Sequence, residues 1–393
     1  MAADMRIILV EDIKLIVAAI IVICSVVIIM NKLGFGFLHL PMTDQKEVDY
    51  TKLNPMVDAF LAHGGFYFDS AYTYLDGKSE IALREALVKR HPRNSFQIAT
   101  KLPGYQVKTK EDCYRYFEEE QQRIGVDYFD VYMLHWLNEK HYRIAEATGQ
   151  FDFLKELKET GKVIRIGFSY HDTADLLDEI LTAHPEIDCI LIQLNYADWG
   201  SESIQSRKCY ETAVHHGVSV MVMEPVKGGT LADPPADIKE KLLQLNSAYT
   251  PYDMALRFAE SLPGVKIVLS GMSEVWQVEE NMRERTPLSE EERSAMLVIA
   301  KQINNATAIP CTGCGYCLKS CPKNICIPNY FRLYNEIRRT PDDDWKIEPA
   351  YWGLAQHSGK ASDCISCRNC ERKCPQKLAI TEHLKKVADM FER

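Results

Sequence analysis

The chain has 393 residues, 46% of them apolar and 26% charged, a balance that supports a packed core and excludes a disordered class. Its 46 lysines and arginines against 55 aspartates and glutamates give a net charge of -9. No long basic block is present, which excludes the electrostatic footprint of a nucleic-acid binder. Thirteen cysteines are many, yet eight crowd into residues 311–374 in two equal runs, a metal-ligand pattern rather than a scattered disulfide framework. Such thiolates need the reducing conditions of a cytoplasm.

Residues 15–30 are uncharged and mostly apolar, bounded by Lys14 and Lys32. The run reads either as an anchor to the cytoplasmic face of a membrane or as sequence upstream of a natural start at Met30. A bilayer span takes about 20 such residues, and no small-residue cleavage signal follows. Membrane contact is expected only under the first reading.

From 33 to 288, short apolar runs alternate with helix-periodic segments, the pattern of βα units on a parallel sheet. Strands are expected at 34–40, 66–71, 96–102, 131–136, 163–169, 189–196, 218–223 and 266–271. Leu53, Val57, Phe60 and Leu61 share one helical face, as do Met254, Phe258 and Leu262. Gly64, Gly161, Gly217 and Gly264 fall where left-handed helix caps are wanted, and Thr250 before Pro251 reads as an N-cap. Eight βα units in about 255 residues fit a closed (β/α)8 TIM barrel. A doubly wound open sheet is the alternative, but no G-x-G-x-x-G follows the first strand. The expected organisation is a hydrophobic segment at 1–32, the barrel at 33–290, and a second, smaller, mainly α-helical dicluster domain at 300–393.

In a barrel, chemistry sits where strands end and βα loops begin. Asp69 closes the second strand, Lys101 the third and His135 the fourth, and Tyr74 follows Asp69 in the loop. Singly these read as a helix cap, a solvated lysine, a core histidine and a rim aromatic; together they read as one site at the barrel mouth. Trp136 beside His135 either lines a substrate pocket or simply packs.

With the run from Asp69 to Tyr74, then Gly77, Ser79 and Glu80, then Thr100-Lys101, then Leu134-His135-Trp136, the sequence resembles the aldo-keto reductase family over residues 33–285. The resemblance implies reversible hydride transfer between NADPH or NADH and a small carbonyl or alcohol. Tyr74 would be the general acid, and Lys101 would lower its phenol from a pKa of about 10. Asp69 would hold Lys101, and His135 would orient the carbonyl and stabilise the developing oxyanion. Ser169 and Gln193 match positions that hold the nicotinamide carboxamide, Gly228, Gly229 and Leu231 the loop along the pyrophosphate, and Glu280 and Asn281 the adenine end. The sequence departs from the family pattern at Tyr170, where asparagine is usual, and at Met223, where an aromatic ring commonly stacks. Gly271 and Gln277 stand where Lys and Arg often grip a 2′-phosphate, which leaves NADH and NADPH both open.

Cys311, Cys314, Cys317 and Cys321 followed by Pro322 spell C-x2-C-x2-C-x3-C-P, and Cys364, Cys367, Cys370 and Cys374 followed by Pro375 spell it again. The runs resemble those of ferredoxin-type domains with two [4Fe-4S] clusters, in which the fourth cysteine serves the other cluster. One cluster is thus assigned Cys311, Cys314, Cys317 and Cys374, and the other Cys364, Cys367, Cys370 and Cys321. Paired zinc sites are the alternative, but zinc favours separated CxxC pairs. A helix is expected near 329–338. Cys189 reads as core, and Cys24, Cys113, Cys209 and Cys326 lack ligand spacing.

A hydride carries two electrons, each cluster normally one, and no flavin site is recognisable. Two functions stay open. The first is an oxidoreductase whose clusters exchange electrons with a redox protein partner or brace the fold. The second is an electron-transfer or regulatory subunit whose barrel binds nucleotide without productive carbonyl chemistry.

Overall fold

The computed structural model describes residues 32–392 apart from 203, 307 and 340–343. Eight parallel strands close into a barrel in sequence order, β1 (Leu33–Gly36), β2 (Tyr67–Asp69), β3 (Gln97–Leu102), β4 (Phe129–Leu137), β5 (Val163–Tyr170), β6 (Cys189–Gln193), β7 (Ser219–Met223) and β8 (Val265–Gly271). The open-sheet alternative is thereby overturned, because β1 pairs with β8 from Leu33 opposite Val268 to Gly36 opposite Gly271.

Each strand alternates its side chains between two cores. Tyr67, Ala99, Val131, Met133, Cys189, Leu191, Met221, Ile267 and Leu269 fill the inside of the barrel. Phe68, Ile98, Tyr132, Phe168, Ile190 and Val220 face outward into a larger core shared with the helices. The helix Tyr50–Ala62 contributes Leu53, Met56, Val57 and Phe60 to that core, and Pro251–Glu260 contributes Met254 and Phe258. The four expected cap glycines all have left-handed φ, and Thr250 forms a full capping box with Asp253.

Strand ends differ from expectation for local reasons. β6 stops at Gln193 because Asn195 turns the chain: its Oδ1 accepts from Asp198 N at 2.8 Å while its Nδ2 donates to Asp198 Oδ2 at 2.9 Å. β4 runs on to Leu137, with a register shift after Leu134 and a left-handed Trp136 (φ 59°).

The helix Glu290–Ala306 places Met296, Ile299, Ala300 and Ile303 in the outer barrel core. It thus packs on the barrel, starting at the expected barrel boundary of 290 and running past 300, the expected start of the tail. The tail has a core of its own, built from Ile309 and from Tyr330, Phe331, Tyr351, Ile380, Leu384, Val387 and Phe391 on the helices Ile327–Arg339, Asp344–Ala355 and Ile380–Phe391. Residues from Leu33 onward form one compact unit. Among the described residues no helix is long and apolar enough to cross a membrane. The apolar run at 15–30 lies outside them.

Candidate active site and cluster cavities

The period-2 alternation that fills the barrel also places the polar residues. Two positions beyond inward-facing Tyr67, Ala99 and Met133 come Asp69, Lys101 and His135, so all three enter the mouth at the C-terminal end. Lys101 Nζ donates to Asp69 Oδ1 and to the Ser70 carbonyl, both at 2.6 Å, with Lys101 fully buried. Burial pushes the Asp69 carboxyl up and the Lys101 ammonium down, and their mutual contact pulls each back toward its charged form. Tyr74 meets the His135 ring edge-on at 5.5 Å, and Lys101 Nζ sits 4.9 Å from the Tyr74 ring centre. Burial, helped by Lys101, holds His135 well below the usual imidazole range, so it stands neutral. Asp69 Oδ2 and His135 Nδ1 are buried with no protein partner, two polar atoms left over for a bound group.

The expected lowering of the Tyr74 phenol is not found. Burial, then the nearby Asp69 charge, push it above its ordinary value, against the pull of a hydrogen bond with Tyr316. Lys101 is committed to Asp69 and Ser70, so its charge is largely spent there.

Trp136 stacks on Tyr316 of the tail, with ring centres 6.0 Å apart and planes at 15°. Tyr105 packs edge-on against Trp136 at 5.7 Å and stacks on His141 at 5.2 Å, while Lys373 Nζ lies 5.3 Å from the Trp136 ring. These rings and the lysine roof the mouth.

Of the nucleotide candidates, Ser169 and Gln193 reach the mouth. Ser169 Oγ accepts from Trp136 N at 2.7 Å. Gln193 and Gln376 of the tail exchange two side-chain hydrogen bonds, and Gln193 Nε2 also donates to Asp198 Oδ2 at 2.9 Å. Gly228 and Gly229 take left-handed conformations in the loop after β7, where Leu231 is fully buried. Glu280 and Asn281 lie apart from the tetrad on the helix Val275–Asn281, and Asn281 Nδ2 is 3.4 Å from Ser270 Oγ. Tyr170 does not enter the mouth. Its ring packs beside Phe168 in the outer core and its hydroxyl donates to the Thr173 carbonyl at 2.5 Å. Gln277 is occupied as a cap, accepting from Ser273 N at 2.7 Å.

Sequence reasoning missed the tail residues that meet the barrel here, Thr312, Tyr316 and Gln376, because nothing in their spacing relates them to strand ends. It also missed Glu224, left-handed just after β7, whose carboxyl burial pushes up to about 7. Beside it Lys227 is ion-paired with Asp198, both buried. A polar residue closing β7 was the available signal.

The eight tail cysteines surround two separate cavities. Cys311, Cys314, Cys317 and Cys374 line one, with Ile327, Phe331, Leu378 and Ile380. Cys321, Cys364, Cys367 and Cys370 line the other, with Ile325 and Leu384. This is the crosswise partition expected from the motif. Gly313 N and Ile325 N approach Cys311 Sγ and Cys321 Sγ at 3.5 Å, the kind of donor that stabilises cluster ligands.

Comparison with known proteins agrees with both halves. Residues 32–299 match the model of the aldo/keto reductase family, and residues 310–380 that of a 4Fe-4S dicluster domain. The chain is 30% identical over 183 residues to the NADH-specific methylglyoxal reductase of Escherichia coli (strain K12), covering 42% of this chain and 53% of that protein. It is 25% identical over 229 residues to an aldo-keto reductase of Mycobacterium avium (strain 104), covering 57% of this chain and 72% of that one. The matches thus span about half the length of the first relative and under three quarters of the second. Among solved structures, the holo form of an aldo-keto reductase from Bacillus halodurans is similar, with TM-score 0.56 and 25% identity over 68% of this chain and 91% of that one. An aldo-keto reductase from Klebsiella pneumoniae in complex with NADPH shares the fold, with TM-score 0.55 and 20% identity over 67% and 89%. With the barrel, its polar mouth and the two cysteine-lined cavities in place, the chain belongs to the aldo/keto reductase family and carries a 4Fe-4S dicluster domain behind its barrel.

Proposed function

We propose that the barrel catalyses reversible hydride transfer between a nicotinamide nucleotide and a small carbonyl or alcohol, with the tetrad at its mouth as the catalytic apparatus. The observation that carries this reading is the buried Lys101–Asp69 pair beneath Tyr74 and His135, with Asp69 Oδ2 and His135 Nδ1 unpartnered. Bound nicotinamide supplies or accepts the hydride. Tyr74 holds the proton that the carbonyl oxygen takes up, and its raised pKa keeps the phenol protonated at neutral pH. Neutral His135 is a hydrogen-bonding group for the same oxygen, and Asp69 anchors Lys101 under the tyrosine ring. Small substrates are favoured because Trp136, Tyr105 and Tyr316 crowd the entrance. NADH is favoured over NADPH by Gly271 and the occupied Gln277, and by the NADH specificity in the name of the Escherichia coli relative.

The eight cysteines hold two [4Fe-4S] clusters, which supply one-electron chemistry and call for a reducing compartment and a redox protein partner. The test is Tyr74→Phe in the cluster-loaded protein. Carbonyl turnover should fall by about 10²–10⁴-fold, the usual contribution of a positioned acid, with nucleotide affinity unchanged. Turnover at the wild-type rate would overturn the assignment.

A further inference from the structure

The tail lies over Gln193 and Gly228, which the family resemblance assigns to the nucleotide, and the three residues that make these contacts or flank them all sit next to ligands of the cavity of Cys311, Cys314, Cys317 and Cys374. Gln376 follows Cys374 by two residues, Thr312 follows Cys311, and Tyr316 precedes Cys317. Gln193 Nε2 donates to Gln376 Oε1 at 3.0 Å, and Gln376 Nε2 donates back to Gln193 Oε1 at 2.8 Å. Both side chains are buried, at 6% and 7% exposure. With its second proton on Asp198, the Gln193 amide has no free donor left. The side chain of Gln376 is a primary amide, the same functional group as a nicotinamide carboxamide, and it presents the same donor and acceptor to Gln193.

The second contact is backbone on backbone. A methyl group built on Gly228 would fall 1.9 Å from the Thr312 carbonyl oxygen, so the chain of the tail runs directly against the loop assigned to the pyrophosphate. Tyr316, stacked on Trp136, closes the third side. The ion pairs Lys319–Asp76 and Lys377–Asp172 fasten the two flanks of the same arrangement.

We propose that Gln376 is a built-in competitor for the nicotinamide carboxamide on Gln193, so that nucleotide enters only when the ligand loops of the neighbouring cluster lift from the barrel. This rests on the hydride-transfer function proposed above, with Gln193 as the carboxamide contact that the family resemblance implies. Both ligands of Gln193 cannot be bound at once, and the linkage is reciprocal: whatever loosens these loops favours nucleotide, and nucleotide loosens the loops. Occupancy of the barrel is thereby coupled to the cluster without any electron passing between them.

The experiment is an anaerobic titration of the full-length, cluster-loaded protein with NADH, read by nucleotide fluorescence, in wild type and Gln376→Ala. Iron content and visible absorbance confirm equal cluster loading. The variant should bind about tenfold more tightly, the scale set by removing two competing neutral hydrogen bonds. Equal dissociation constants in the two proteins would overturn the competition and leave the nucleotide site standing. Binding to neither protein would overturn both. If the substitution costs the protein its cluster, hydrogen exchange on wild type decides instead. NADH should speed exchange at residues 311–317 and 374–378, and unchanged or slowed exchange there, with NADH bound, would overturn the proposal.

Discussion

Lys101 Nζ lies 2.6 Å from Asp69 Oδ1 in a fully buried contact, so each of the two charges is tolerated only because of the other. Lys101→Met therefore leaves an uncompensated carboxylate in the barrel and should cost about 3–5 kcal/mol, the range for breaking one side of a buried pair. The double variant with Asp69→Asn should recover most of that loss while remaining inactive. Denaturant unfolding of the two variants checks this, and a double variant no more stable than the single one would refute it.

The neutrality of His135 sets a pH signature. Its pKa is depressed by burial and by Lys101, so it carries no proton on the ring's second nitrogen through the range where an ordinary histidine, near 6.5, would titrate. The profile of kcat/KM should show no break near that value. A protonation step at the ordinary histidine pKa, lost in His135→Asn, would contradict the neutral assignment.

How much of this was legible beforehand follows from which physical signals are local. Asp69, Lys101 and His135 were legible as candidates because each is a polar residue closing an apolar strand, the end at which a barrel opens its mouth. The cysteine partition was found because ligand spacing is fixed by cluster geometry. Gln376 and Tyr316 were invisible: their partners Gln193 and Trp136 lie about 180 residues away in sequence, and no local pattern encodes how one domain docks on another. The helix Glu290–Ala306 was missed as a barrel element because its burial depends on that same long-range packing.

The cluster partition predicts an asymmetric response to single substitutions. Cys374→Ser should impair the cluster of Cys311, Cys314 and Cys317, and Cys321→Ser the other. Each variant should lose up to about half of the roughly eight irons expected for two four-iron clusters. Iron analysis with cluster spectroscopy on each variant decides it; identical spectral losses in the two would refute the crosswise assignment.

Glu292 ties the helix Glu290–Ala306 to the helix Pro251–Glu260 by a pair of bonds from Arg257, at 2.9 Å each. Burial pushes its carboxyl up, but the bonds from Arg257, Asn246 and Ser289 N outweigh this and hold it at about 2, against 4.5 ordinarily. A depressed carboxylate contributes stability above its unfolded pKa and loses it as pH falls through the folded one. The contribution is fully present above about pH 4.5 and is lost as the pH falls towards 2. The stability gap between wild type and Glu292→Gln should narrow accordingly on acidification, and a gap independent of pH would exclude the mechanism.

Gly228→Ala places a methyl group against the Thr312 carbonyl and on a left-handed backbone (φ 61°). The combined overpacking and strain should cost about 1–3 kcal/mol and show as faster proteolysis of the tail while the barrel persists. Unchanged digestion of the tail would mean that this contact does not hold it down.

The cavity that draws three cysteines from 311–317 and its fourth from 374 also imposes an order of events on synthesis. All eight strands have left the ribosome by Gly271, so the barrel can close while its mouth is still open. The neighbouring cluster cannot be completed until Cys374 emerges, 103 residues after the last strand ends at Gly271. Gln376 follows at once, so the roof is completed together with that cluster, over a barrel whose strands are already made.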